Sequence, residues 1–146
     1  MPVSRTIRIE APPASVWAAM VDVERWPEWA AQMQSLRRQD EGQFGKGSRV
    51  KVTPKMLSGS IWTVTEYDEG KSYIWETALA PGVRMSGGHV VEAESGGTNA
   101  TFWLDVAGPI GAILSPVLGL VFRRNTRLAT QGLKSYCEKA SDSPST

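Results

Sequence analysis

What most constrains this chain is how little sequence lies between its β-type runs. Arg49–Val52, Ser60–Tyr67, Tyr73–Thr77, Val83–Ala93 and Asn99–Val106 are rich in β-branched and aromatic residues. Turn-forming stretches flank or separate them: Gly42 to Gly47, Tyr67-Asp68-Glu69-Gly70-Lys71, Ala80-Pro81-Gly82 and Glu94-Ser95-Gly96-Gly97-Thr98. Connections this short cannot hold a crossover helix, so the runs are expected to pair as an antiparallel meander. An earlier run, Val3 to Ala11, alternates Val3, Ile7 and Ile9 against Ser4, Thr6, Arg8 and Glu10, which reads as a half-buried strand. Pro12-Pro13 ends it, because proline lacks the ladder donor and suits the first turn of a helix. A short helix follows with Val16, Trp17, Met20 and Val21 on one face, and Arg25-Trp26-Pro27-Glu28-Trp29 opens a second short helical piece.

After Gly108 the pattern is helical to about Lys139. Leu114, Leu118, Val121 or Phe122, Ala129, Leu133 and Tyr136 form its inner stripe, and Pro116 is expected to kink it or split it in two. A lone long helix must bury its stripe, and the sheet is the only large surface available. Antiparallel strands in this number twist and curl, so the helix is expected across a concave face. One helix does not fill that concavity. The fold class is therefore α+β: a curved antiparallel sheet of about six to seven strands wrapped around a long C-terminal helix, with two short helices after strand one. The leftover space is expected to be a largely apolar pocket. Residues 1–140 read as one domain, and the small polar tail 141–146 as disordered.

Composition narrows the partners. Sixteen Lys+Arg against fifteen Asp+Glu leave +1 over 146 residues, which argues against nucleic acid as the main partner. The single cysteine, Cys137, makes no intrachain disulfide, no Cys/His cluster suggests a metal, and no cofactor is expected. The opening MPVSRTIRIEA lacks a basic stretch followed by an apolar one. The uncharged stretch Val106–Phe122 is interrupted by Pro109, Pro116 and three glycines, and falls short of the ~20 apolar residues a spanning helix needs. A cytoplasmic protein is expected, and oligomeric state is not legible.

The six tryptophans are the unusual component. Trp62, Trp75 and Trp103 fall on separate strands. Tyr73 shares a face with Trp75, and Trp103 alternates with Thr101 and Asp105 against Phe102, Leu104 and Val106, leaving either face of that strand as the inner one. His89 is the only histidine and shares a face with Met85, Gly87 and Val91 if the strand is regular; a bulge at Gly87-Gly88 would shift that parity. The candidate ligand-binding set is thus Trp62, Tyr73, Trp75, Met85, His89 and Trp103, with Leu114, Leu118 and Phe122 from the helix. His89 either hydrogen-bonds a ligand carbonyl, acts as general acid/base, or is tied into the scaffold. Arg84 either meets an acidic or enolate head or is solvated. These two are the candidate catalytic residues. Asp105 and Glu76 have no carboxylate partner, and no nucleophile elbow, phosphate loop or dinucleotide fingerprint is present. The apolar run Ile110–Phe122 followed by Arg123, Arg124 and Arg127 reads as the half of the helix that lines the cavity, in preference to a membrane-touching patch.

Ile7-Arg8-Ile9-Glu10-Ala11-Pro12-Pro13-Ala14-Ser15-Val16-Trp17, followed by Asp22-Val23-Glu24-Arg25-Trp26-Pro27-Glu28-Trp29, resembles the opening of the START-related helix-grip superfamily (SRPBCC), most of all its polyketide cyclase/dehydrase-like branch. Trp62-Thr63-Val64-Thr65-Glu66, His89 with Gly96-Gly97-Thr98, and Leu133-Lys134 with Glu138 continue the match along nearly the whole chain. The Trp-Pro-Glu-Trp segment reads as a packing wedge between the first helix and the sheet. The resemblance implies a helix-grip fold whose members bind lipids, sterols, aromatic polyketides, plant hormones or quinones, some of them catalysing cyclisation or dehydration. The expected function is binding of a small hydrophobic ligand, aromatic polyketide, lipid or isoprenoid-like, between sheet and helix. The alternatives are a polyketide cyclase/dehydratase-type enzyme using the same pocket, or a lipid or quinone carrier docking to membranes.

Overall fold

The computed structural model describes residues 3–142. Strand β1 (Val3–Ile9) leads into helix α1 (Pro13–Val21) and a 3₁₀ helix (Val23–Glu28). Six further strands follow: β2 (Met33–Arg38), β3 (Arg49–Pro54), β4 (Ser60–Asp68), β5 (Ser72–Ala80), β6 (Val83–Glu94) and β7 (Gly97–Ala107). Helix α2 (Pro109–Asp142) ends the described chain. All seven strands form one antiparallel sheet in the order β1-β7-β6-β5-β4-β3-β2. This curled half-barrel around a long helix is the expected helix-grip α+β architecture.

Strand β2 is not among the runs singled out above. Its sequence Met-Gln-Ser-Leu-Arg-Arg buries only Leu36 fully, and as an edge strand it pairs with β3 alone. A polar edge strand leaves no alternating apolar signal, which is also how such an edge resists pairing with other chains. No bulge forms at Gly87-Gly88: β6 keeps continuous register with both β5 and β7 through these glycines. The irregularities lie instead at Met33/Ser35, Val64/Glu66 and Ala78/Ala80. The two glycines serve two indoles on opposite faces. A Cβ at Gly87 would fall 3.0 Å from Trp75 Nε1, and one at Gly88 only 1.9 Å from Trp103 Nε1.

Helix α2 runs unbroken through Pro116, where neither a second piece nor a gap is present. It continues to Asp142, beyond the end read from the sequence. Of the expected tail, residues 143–146 lie outside the described residues. The end of β1 and α2 clamp each other: Lys134 Nζ donates to the Arg8 carbonyl at 2.8 Å, and the amide of Glu10, just past the strand, donates to Glu138 Oε2 at 2.8 Å. The Gly96-Gly97 turn cradles Arg8, whose guanidinium donates to the carbonyls of Glu94 and Ser95. The motif residues Lys134, Glu138 and Gly97 are therefore scaffold.

The core is aromatic. Trp26 packs at 5.1 Å from Trp29 and 5.3 Å from Trp75, and both Trp26 and Trp29 are buried. Burying an indole removes about 200 Å² from water, on the order of 5 kcal/mol before entropy is subtracted, so this wedge outweighs any single hydrogen bond in the region. Two polar ends of this core share one acceptor: Trp26 Nε1 (3.1 Å) and the Tyr73 hydroxyl (2.8 Å) both donate to the Met20 carbonyl, in the last turn of α1, where backbone acceptors lack helical partners, whereas Trp17 Nε1 is buried without a partner.

Candidate ligand cavity

Strand parity places Trp62 on β4, Trp75 on β5, Met85 and His89 on β6 and Phe102 on β7 toward α2. Leu118, Phe122 and Ala129 face them from the helix, and about 240 Å³ of open interior lies between. Pro54, Leu57 and Leu79 stand at its rim, Leu57 and Leu79 being 66% and 47% exposed.

Six residues singled out in the sequence come together here: Trp62, Trp75, Met85, His89, Leu118 and Phe122. Trp103 belongs to the same wall, but its indole covers Gly88 on the outer face. Tyr73 is completely buried behind the cavity, stacked on His89, and is not part of the lining. Leu114 lies outside the lining and is 43% exposed. Arg84 is exposed and alternates with Val83 and Met85, so it stands on the outer face, away from the cavity. Of the pair Val121 and Phe122, Phe122 is the inward one.

His89 sits in an aromatic box, with ring centroids of Tyr73 at 4.3 Å, Phe102 at 5.1 Å, Trp75 at 5.2 Å and Trp26 at 5.3 Å. Burial pulls its pKa from 6.5 down to about 3, against a smaller upward push from the Tyr73 carbonyl. The imidazole is therefore neutral at physiological pH. Its Nδ1 lies 3.3 Å from that carbonyl, which can only accept, so Nδ1 carries the proton and Nε2 keeps its lone pair. A neutral ring in this tautomer accepts from a ligand hydroxyl. It has no proton on Nε2 to give to a ligand carbonyl.

Gln32, between the 3₁₀ helix and β2, carries no sequence signal of its role. Its Nε2 donates to the Asn125 carbonyl at 3.3 Å, and its Oε1 is buried at the cavity without a partner. An unpaired buried acceptor costs about 1–3 kcal/mol, which a ligand donor would recover. Together with His89 Nε2, it makes a second acceptor in an apolar wall. Among the described residues no group of three or more His, Cys, Asp or Glu could hold a metal ion. No described helix is long and apolar enough to cross a membrane.

A family model described as "Polyketide cyclase / dehydrase and lipid transport" matches residues 2–138. Among solved structures, a START superfamily protein from Mycobacterium smegmatis superposes with TM-score 0.77 at 14% identity, covering 95% of this chain and 98% of that one. The Zhui aromatase/cyclase from Streptomyces sp. R1128 gives 0.75 at 19% identity, covering 98% and 96%. A Thermus thermophilus protein, TTHA0849, gives 0.76 at 21% identity, covering 98% and 100%. At these identities the likeness is one of fold. No curated protein matches.

Proposed function

The chain belongs to the polyketide cyclase / dehydrase and lipid transport family, and from that premise we propose that it binds a compact, hydroxyl-bearing hydrophobic ligand in the cavity between sheet and α2. The observation that carries this reading is an aromatic and aliphatic wall holding two unengaged acceptors, His89 Nε2 and Gln32 Oε1. The cavity, at about 240 Å³, is below the ~300–1,000 Å³ usual for drug-sized ligands. That volume favours a small aromatic or isoprenoid-like ring system over an extended acyl chain. Trp62 and Trp75, 5.7 Å apart, supply flat faces for it.

An enzymatic use of this pocket would have to proceed without a protonated His89 and without Arg84. The binding reading asks less of both residues.

Titration with naphthol and with methylnaphthalene, followed by intrinsic tryptophan fluorescence, tests the proposal. Naphthol is expected to quench and to bind about tenfold more tightly, the worth of one hydrogen bond. The His89→Phe variant should lose that preference while still binding the hydrocarbon. Failure of both probes to bind, with native mass spectrometry of the purified protein showing no apolar adduct, would sink the reading.

A further inference from the structure

A second concavity, of about 410 Å³, lies between β1 and α2, with Thr126 as its common wall with the apolar cavity. Four arginines line it: Arg5 from β1 and Arg123, Arg124 and Arg127 from α2. Arg5 alternates in step with Ile7 and Ile9, the residues that β1 turns toward the interior, and Arg127 lies one helical turn beyond the adjacent Arg123 and Arg124. No carboxylate lines the groove. Among the described residues, none of Arg5, Arg123, Arg124 and Arg127 is engaged in an ion pair. The chain as a whole carries only +1, so a quarter of its sixteen cationic residues is concentrated in one groove without counter-charge. Guanidiniums held together repel one another, and a concave surface focuses their field onto whatever enters it.

We infer that this groove is a binding site for a phosphate group, distinct from the apolar cavity. A multivalent anion relieves the repulsion of several guanidiniums at once, and the planar guanidinium fork matches phosphate oxygens in bidentate pairs. Contributions from two separate elements, a strand and a helix, set it apart from a run of surface charge. The same helix exposes Val117 (66%) and Leu120 (67%) beside the groove, and Leu120 lines it. A phosphate that carries an apolar substituent therefore meets complementary surface on both of its parts. The phosphate can come from a soluble ester or from a lipid headgroup, and the two sources are separated experimentally.

The full chain is titrated with inorganic phosphate at constant ionic strength while arginine side-chain N–H resonances are followed by NMR. In parallel it is sedimented with phosphatidylglycerol vesicles and with phosphatidylcholine vesicles. Shifts confined to the groove arginines, weakened about tenfold in Arg123→Gln/Arg127→Gln and also in Arg5→Gln, support the site. The control pair Arg37→Gln/Arg49→Gln removes the same charge elsewhere on the surface and should leave binding unchanged. Sedimentation with phosphatidylglycerol alone, lost in the groove variants and in Leu120→Ser, supports the site and identifies the headgroup as source; binding of phosphate without vesicles identifies a soluble ester. If neither probe binds, or if the control pair weakens binding as much as the groove variants do, the inference is overturned.

Discussion

The two halves of α2 invert the usual relation between side-chain polarity and burial. Its N-terminal half carries Ile113, Val117 and Leu120, yet these are 77%, 66% and 67% exposed. Its C-terminal half buries two threonines, Thr126 and Thr130, along with Ala129, Leu133 and Cys137. The threonines are tolerated because each hydroxyl donates within the helix, Thr126 to the Phe122 carbonyl at 2.9 Å and Thr130 to the Thr126 carbonyl at 2.7 Å, so no polar group is left unpaired. What separates the halves is the surface opposite them. The C-terminal half meets β1 through Lys134 and the tryptophan wedge through Gly132, while the N-terminal half presents Leu118 and Phe122 to the open cavity. One half is scaffold and the other leaves room for a site.

The sharpest probe of the aromatic wall opposite α2 is acid. The folded pKa of His89 lies near 3 and its unfolded value near 6.5, so in that interval the unfolded chain holds a proton that the folded chain does not. Stability is fully present above pH 6.5 and falls as pH drops toward 3, by an amount on the order of 4 kcal/mol. Urea midpoints measured across this range should trace that loss, and His89→Gln should flatten it. An unchanged acid limb in the variant would place the sensitivity outside the aromatic box.

Glycines on the same helix give the next contrast. A Cβ at Gly132 would sit 1.7 Å from the Trp29 carbonyl oxygen, a backbone atom that cannot swing aside. Gly132→Ala should therefore destabilise by about 3 kcal/mol as helix and wedge are forced apart. At Gly119 nothing lies within 4 Å, and Gly119→Ala should stabilise by about 0.5–1 kcal/mol through helix propensity and unfolded-state entropy. Equal effects from the two alanines in chemical denaturation would break the division of α2. The smallest effect belongs to the open side. Val117→Ser should change stability by less than about 0.5 kcal/mol, since its side chain is already in water. A loss of more than that in the same assay would mean that the exposed half is covered in solution.

Much of this fold was legible in sequence because hairpin length and period-2 alternation are local. The five runs from Arg49 to Val106 appear as β3–β7, and the inward set Met85, Gly87, His89 and Val91 follows from simple parity. β2 escaped because an edge strand with one buried residue has no periodic signal to offer. Trp103 stayed ambiguous because both faces of β7 carry large apolar residues, and what resolves it is Gly88 across the ladder, which leaves space for the indole outside. Gln32 had no signal at all: its position depends on the Asn125 carbonyl, far away in the chain.

The amino-acid sequence by itself determined the order of strands and helices, the antiparallel pairing and the facing of most strand residues, since all of these are set by backbone periods over a few residues. Only the tertiary structure decided which apolar turns of α2 are covered, that His89 is held neutral with Nε2 as its acceptor, and that arginines from β1 and α2 meet in one groove. Burial, protonation and clustering depend on which distant segments lie opposite one another, and no local period encodes that.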